Sequence, residues 1–227
     1  MSTGPDRTKI LAVAFDLDGL MFDTEALFFR VASEMVAARG KVFRPEIMRA
    51  MIGRQPSESG LALKTLAGLE EDPEFLMAEA TERFMAVVDA AVQPMPGLIA
   101  LLDLLDRRAM PLAVATSSHR KYAERLLGRH ALIDRFALVL AREDVARHKP
   151  DPEIYATVAA RFGIEPGSLL VLEDTPTGLT AAKAAGAFAV GVPHEHSPAA
   201  DLPMADLIVP RLDDPALLAQ IGLVESP

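Results

Sequence analysis

The sequence predicts an α/β fold: a parallel sheet covered by helices, with an all-helical insertion after the first strand. Three observations carry this. Short apolar runs alternate with helix-like stretches over most of the chain. The runs lack the polar alternation of a sheet with one wet face, so they read as strands buried on both sides. The segment from Thr24 to Val92 breaks the alternation and holds only helical patterns.

The elements follow in chain order. Lys9–Phe15 (KILAVAF) is the first strand, cut off by acidic residues and Gly19. Helical patterns then run over Ala26–Arg39, Pro45–Ile52, Ser59–Ala67 and Pro73–Val88. They end at Gln93-Pro94-Met95-Pro96-Gly97, a stiff, turn-rich joint. Alternation resumes with a helix over Gly97–Arg108, a strand over Pro111–Ala115 (PLAVA) and a helix over Arg120–Arg129. A short strand at Phe136–Leu140, a helix at Pro152–Phe162 and a strand at Ser168–Leu172 (SLLVL) come next. A helix over Gly178–Ala185 and short strands at Ala187–Val192 and Leu207–Val209 complete the pattern. The expected division is a core of residues 1–23 and 94–227 and a helical unit of residues 24–93. The sequence shows no internal repeat and no low-complexity segment.

Composition narrows the function. The 227 residues suffice for one core with a modest insertion, and half of them are hydrophobic, so a packed interior is expected. A net charge of −9 repels nucleic acid and anionic membranes, and neither is expected as a partner. It also repels phosphorylated substrates, so a phosphate site here must supply its own local cations. The absence of cysteine removes disulfides, thiolate zinc sites and cysteine nucleophiles together. Met1 to Thr8 is polar and no apolar run approaches membrane-spanning length, so neither a secretory signal nor a membrane span is expected; the lack of cysteine fits a reducing cytoplasm, and a monomer is expected. Ten methionines without tryptophan read as adaptable filling of the interior.

Four constellations carry chemistry. Asp16-Leu17-Asp18-Gly19 follows the first strand, where ligands bind beyond the carboxyl ends of a parallel sheet. Residues two apart on an extended chain share a face, so two carboxylates crowd together. A divalent cation or a proton relieves their repulsion, and the pair can divide into a nucleophile and a proton carrier. A solvated acidic turn is the plain alternative. The glycine position and the preceding strand exclude a helix–loop–helix calcium loop. Thr116-Ser117-Ser118 ends PLAVA, and hydroxyls and amides at a strand-to-helix junction can cradle phosphate. Taken alone, an ordinary helix cap explains it better. Lys149, in His148-Lys149-Pro150-Asp151-Pro152, stands before a helix and can neutralise both a phosphate and an acidic cluster, or can be a surface lysine. Glu173-Asp174 follows SLLVL directly and adds hard oxygen ligands suited to Mg²⁺.

These four motifs, in this order across almost the whole chain, resemble those of the haloacid dehalogenase (HAD) superfamily. The resemblance implies a Rossmann-like core with a helical cap domain, and a small phosphorylated metabolite as the substrate. It implies Asp16 as a nucleophile that forms an aspartyl-phosphate. It implies Asp18 as general acid and base, with its backbone carbonyl on Mg²⁺. Thr116, Ser117 and Lys149 are then expected to hold the phosphoryl group. Asp16, Asp18, Glu173 and Asp174 are expected to hold the metal. The insertion resembles the cap of the subfamily of β-phosphoglucomutase and many small-molecule phosphatases, with Asp23-Thr24-Glu25 as its hinge.

Within that resemblance several reactions compete. Dehalogenases of the family lack the second aspartate, so Asp18 argues against that reaction. A phosphonatase needs a cap lysine for a Schiff base, and neither Lys41 nor Lys64 lies in a recognisable setting. β-Phosphoglucomutases carry a cap histidine where Phe28 stands here, which leaves phosphatase ahead of mutase. A non-catalytic binding protein is disfavoured, because every catalytic position holds a competent residue. Arg54 and Phe28 are candidate substrate-facing residues of the cap. Arg83 reads equally as a surface ion-pair residue. His194 and His196 read as a polar loop ahead of a metal site. No P-loop and no glycine-rich dinucleotide fingerprint is present.

Overall fold

The computed structural model describes residues 9–52, 54 and 56–223. The polar start at Met1 to Thr8 lies outside them. Six strands pair in parallel: β1 (Ala12–Phe15), β2 (Leu112–Ala115), β3 (Leu138–Leu140), β4 (Leu169–Glu173), β5 (Phe188–Gly191) and β6 (Leu207–Ile208). Their order in the sheet is β3-β2-β1-β4-β5-β6. Each lies inside an apolar run read from sequence, except that β4 runs one residue further and takes in Glu173.

The sheet's two faces are unlike, and the sequence dictates how. Along β1, Val13 and Phe15 point into one core cluster, while Ala12 and Ala14 point into the other. Strand β2 repeats this, with Leu112 and Val114 on the first face and Ala113 and Ala115 on the second. The alanine face lets two helices approach closely, α7 (Glu153–Phe162) and α8 (Pro176–Ala184). The bulky face packs on α5 (Leu98–Arg107), α6 (Arg120–Arg129) and α9 (Pro215–Ile221). Helix α5 places Leu98, Leu101, Leu102 and Leu105 in one fully buried stripe at helical spacing. Cutting any of these to alanine costs about 2–5 kcal/mol.

Between β1 and α5 lie four helices: α1 (Thr24–Ala37), α2 (Pro45–Arg49), α3 (Pro56–Ala67) and α4 (Pro73–Ala91). They enclose an apolar cluster of their own, including Met35, Phe43, Ile47, Leu63, Leu76 and Ala80. Leu27 and Val31 of α1, with Phe84 and Val88 of α4, face the other way and join the main core. We propose that residues 24–93 are a cap on these grounds: a separate interior and a seam made mainly by α1 and α4.

Three helices open with a side chain that caps them, set before proline. Asp72, Thr175 and Asp214 each accept a backbone N–H of the first turn, from Glu74, Gly178 and Ala216. The following proline has no N–H to leave unpaired. Helix α9 has no counterpart in the sequence reading. It spans only seven residues and buries only two side chains, Leu217 and Ile221, too few to show a period.

Candidate active site

The site forms where the strand order reverses around β1, beyond the carboxyl ends of β1, β2 and β4. Asp16 follows β1, and its N–H donates to the Leu172 carbonyl of β4 at 3.0 Å. Thr116 follows β2, and its N–H donates to the Leu140 carbonyl of β3 at 2.9 Å. Adjacent parallel strands therefore hold both motifs in register.

Lys149 ties the centre together. Its Nζ donates to Asp16 Oδ1 at 2.5 Å, to Glu173 Oε1 at 2.7 Å and to the Ala115 carbonyl at 2.9 Å. Glu173 is fully buried, and both its oxygens are engaged. Oε1 also accepts from the Tyr155 hydroxyl at 2.6 Å. Oε2 accepts from the N–H groups of Asp174 and Thr175 and from the Thr175 hydroxyl. The backbone is pressed against these acids. A Cβ on Gly178 would lie 1.8 Å from Glu173 Oε1, and one on Gly19 would lie 2.4 Å from Asp174 Oδ2. Gly19 also has φ +78°, so the turn out of β1 favours glycine twice over.

Asp18 is held differently. The Ser118 hydroxyl donates to its Oδ2 at 2.6 Å, and the Tyr122 hydroxyl donates to its Oδ1 at 2.9 Å. Asp174 Oδ2 faces His194 Nε2 at 3.1 Å. The His196 N–H points at His194 Nδ1, so Nδ1 accepts and Nε2 carries the proton toward Asp174. The His196 ring stacks on Phe29 of α1 at 4.9 Å.

Electrostatics follow from this crowding. Burial pushes the Asp16 carboxyl well above the usual carboxylate range, Lys149 pulls it down, and Glu173 and Asp174 push it up again. Asp174 is raised by burial and then by Glu173. Burial also raises Asp18, against the hydrogen bonds from Ser118 and Tyr122. Glu25, at the start of α1, is raised to about 8 by burial and by Asp174. Lys149 is raised despite burial, because Asp16 and Glu173 flank it.

These residues fit a divalent cation. Carboxylate oxygens of Asp16, Glu173 and Asp174 come within 4.8 Å of one another. Asp174 Oδ1 is buried with no hydrogen-bond partner, while its Oδ2 is taken by His194. A hard cation would satisfy that oxygen and relieve the repulsion among the acids.

A cavity of about 250 Å³ opens over Asp16 and Asp18 and is also lined by Thr116, Ser117 and Lys149. The helical segment contributes Glu25, Arg54 and Pro56 to its wall. Arg142 and His148 line it too, and neither was singled out from sequence. Phe28 is not among the described lining residues, nor are Lys41 and Lys64. Phe28 packs on Phe84 at 6.0 Å, and Lys64 donates to the Glu70 carbonyl. Arg83 pairs with Glu79 at 2.7 Å on the surface.

Sequence reading did not single out Tyr122, Tyr155 or Ser197, whose hydroxyl donates to the Asp174 carbonyl at 2.5 Å. Nor did it give Ser118 and His194 their roles beside Asp18 and Asp174.

Comparison with known proteins agrees with this geometry. Residues 13–192 match the family described as haloacid dehalogenase-like hydrolase. The chain is 33% identical to the fructose-1-phosphate phosphatase YqaB of Escherichia coli, over 81% of this chain and 97% of that one. It is 29% identical to the β-phosphoglucomutase of Bacillus subtilis, over 89% of this chain and 90% of that one. A HAD family hydrolase from Deinococcus radiodurans R1, solved with bound phosphate and sodium, superposes with a TM-score of 0.82 at 26% identity. That match covers 97% of this chain and all of the other. The chain belongs to the haloacid dehalogenase-like hydrolases.

Proposed function

We propose that this hydrolase is a Mg²⁺-dependent phosphatase of small phosphorylated metabolites, with Asp16 as nucleophile. One observation carries the reading: Asp16 faces the cavity with Lys149 on its Oδ1, and a second, separately held carboxylate stands two residues away. Phosphoryl transfer needs an in-line nucleophile, positive charge around the equatorial oxygens and a proton for the leaving oxygen.

With Oδ1 taken by Lys149, Asp16 Oδ2 attacks phosphorus as the ester P–O bond breaks. Asp18 gives its proton to the departing alkoxide. Water then yields a proton to Asp18 and attacks the aspartyl-phosphate, which releases phosphate and restores Asp16. Lys149, Thr116 and Ser117 hold the transferring oxygens. Asp16, Asp174 and the Asp18 carbonyl would hold Mg²⁺, with Glu173 directly or through water. The bound cation supplies charge neutralisation beside the phosphoryl oxygens. Glu173, with both oxygens occupied, also keeps Lys149 charged and aimed.

The substrate class rests on similarity to a sugar-phosphate phosphatase and on a cavity of metabolite size. Similarity to a mutase leaves transfer between two positions of one sugar as the alternative. The test is a hydrolysis screen over sugar and polyol phosphates, with Mg²⁺ or EDTA. It should include β-glucose 1-phosphate with a trace of the bisphosphate. We expect phosphate release that EDTA abolishes and Ca²⁺ inhibits. Conversion to glucose 6-phosphate with little free phosphate would establish the mutase instead, and full activity in EDTA would remove the metal.

A further inference from the structure

We infer that Tyr122 is a positioning residue for Asp18: with Ser118, it fixes this carboxylate from the sheet side of the site. The inference rests on the reading of Asp18 as the proton carrier. It starts from hydrogen bonding. Each Asp18 oxygen accepts one hydroxyl, Ser118 on Oδ2 and Tyr122 on Oδ1, so neither rotation of the carboxylate nor a swing of the side chain is free.

Packing gives the second line. Tyr122 lies in the first turn of α6, and its ring meets Phe84 of α4 at 6.3 Å. Phe84 in turn meets Phe28 of α1 at 6.0 Å. Three rings thus run from the helical segment to the hydroxyl that holds Asp18. Packing alone needs only a phenyl ring at position 122. The hydroxyl is what reaches the acid. Burial and the nearby Asp18 push the phenol's pKa up, so it stays a donor.

The consequence is chemical. Both donors belong to the segment that follows β2, and Thr24 at the start of α1 adds a further hydrogen-bonding contact to Asp18. A proton carrier aimed in this way serves the ester at one step and water at the next. The Phe28 side chain offers no hydrogen bond to Asp18, whereas the Tyr122 hydroxyl does.

The test is Tyr122→Phe, which keeps the ring and removes the hydroxyl. Two substrates separate positioning from structure: an alkyl phosphate, whose leaving alkoxide needs a proton, and p-nitrophenyl phosphate, whose leaving phenolate does not. We expect kcat/KM to fall about tenfold for the alkyl ester and to stay within about twofold for the aryl ester. In single turnovers of the alkyl ester, Tyr122→Phe should add no loss to Asp18→Ala. Equal losses with both substrates, no loss with either, or a further loss on the Asp18→Ala background overturns the inference. Survival of activity in Asp16→Asn would remove the underlying reading of the reaction, and this inference with it.

Discussion

The two sides of the cavity are built to opposite rules. On the sheet side, Asp16, Asp18, Glu173 and Lys149 each have short contacts to named partners, and Lys149 alone makes three. On the helical side stand Glu25, Arg54 and Pro56, and Arg54 makes no ion pair among the described residues. Over-determined geometry suits bond making, where a misplacement of about 1 Å costs on the order of a hundredfold. An exposed cationic side chain suits recognition of an anionic ligand. On this difference we propose that the sheet carries the chemistry and the insertion the choice of substrate.

Breaking the sheet side should have the largest effect. Lys149→Met leaves Asp16 and Glu173 without their shared cation in a buried setting, where the Lys149 side chain is only 5% exposed. Activity should fall on the order of a thousandfold or more. Stability should fall by about 3 kcal/mol, read from denaturant midpoints. A melting curve like that of the wild type would show that the lysine is not held as described.

The acids make the next difference testable by pH. The Glu25 pKa is raised to about 8 in the folded chain, above its ordinary 4.5. The folded state therefore binds more protons than the unfolded state between those values. This stabilisation is complete below about 4.5 and lost as pH rises through 8. His130, His194 and His196 are lowered from 6.5 and work in the opposite direction below that value. The clean window is therefore pH 6.5 to 8. Asp16, Asp18 and Asp174, also raised by burial, act in the same direction as Glu25, so without divalent cation stability should decline across it, and Glu25→Gln should lessen the decline. A wild-type profile that declines no more steeply than that of Glu25→Gln would contradict this electrostatic picture.

The helical side should give a smaller and different effect. Arg54→Ala should raise KM about tenfold for anionic sugar phosphates and leave kcat within about threefold. An equal fall in kcat and kcat/KM would place Arg54 in the chemistry and blur the contrast between the two sides.

What the sequence could reveal follows the same contrast. Asp16, Thr116, Lys149 and Glu173 are legible because a parallel sheet delivers ligands at strand ends, and each stands at or just past one or before a helix. All six strands were legible as short apolar runs, most plainly β1, β2 and β4, which are buried throughout. The partners of these acids were not. Tyr122 reaches Asp18 across 104 positions, and Tyr155 reads as one more core aromatic on α7 until its hydroxyl is seen on Glu173. His194 follows β5 in a loop, where nothing in local spacing points to Asp174. Helix α9 announces itself only by Asp214-Pro215, the same opening as Asp72-Pro73.

The most direct test of the central claim is to trap the covalent intermediate. The enzyme would be mixed with substrate and Mg²⁺, quenched in acid within milliseconds and reduced with borohydride, which converts an aspartyl-phosphate to homoserine. Mass spectrometry of the peptide spanning Asp16 and Asp18 should place homoserine at position 16 alone, and only when substrate is present. Modification at position 18, at another residue, or nowhere during active turnover would contradict Asp16 as the nucleophile.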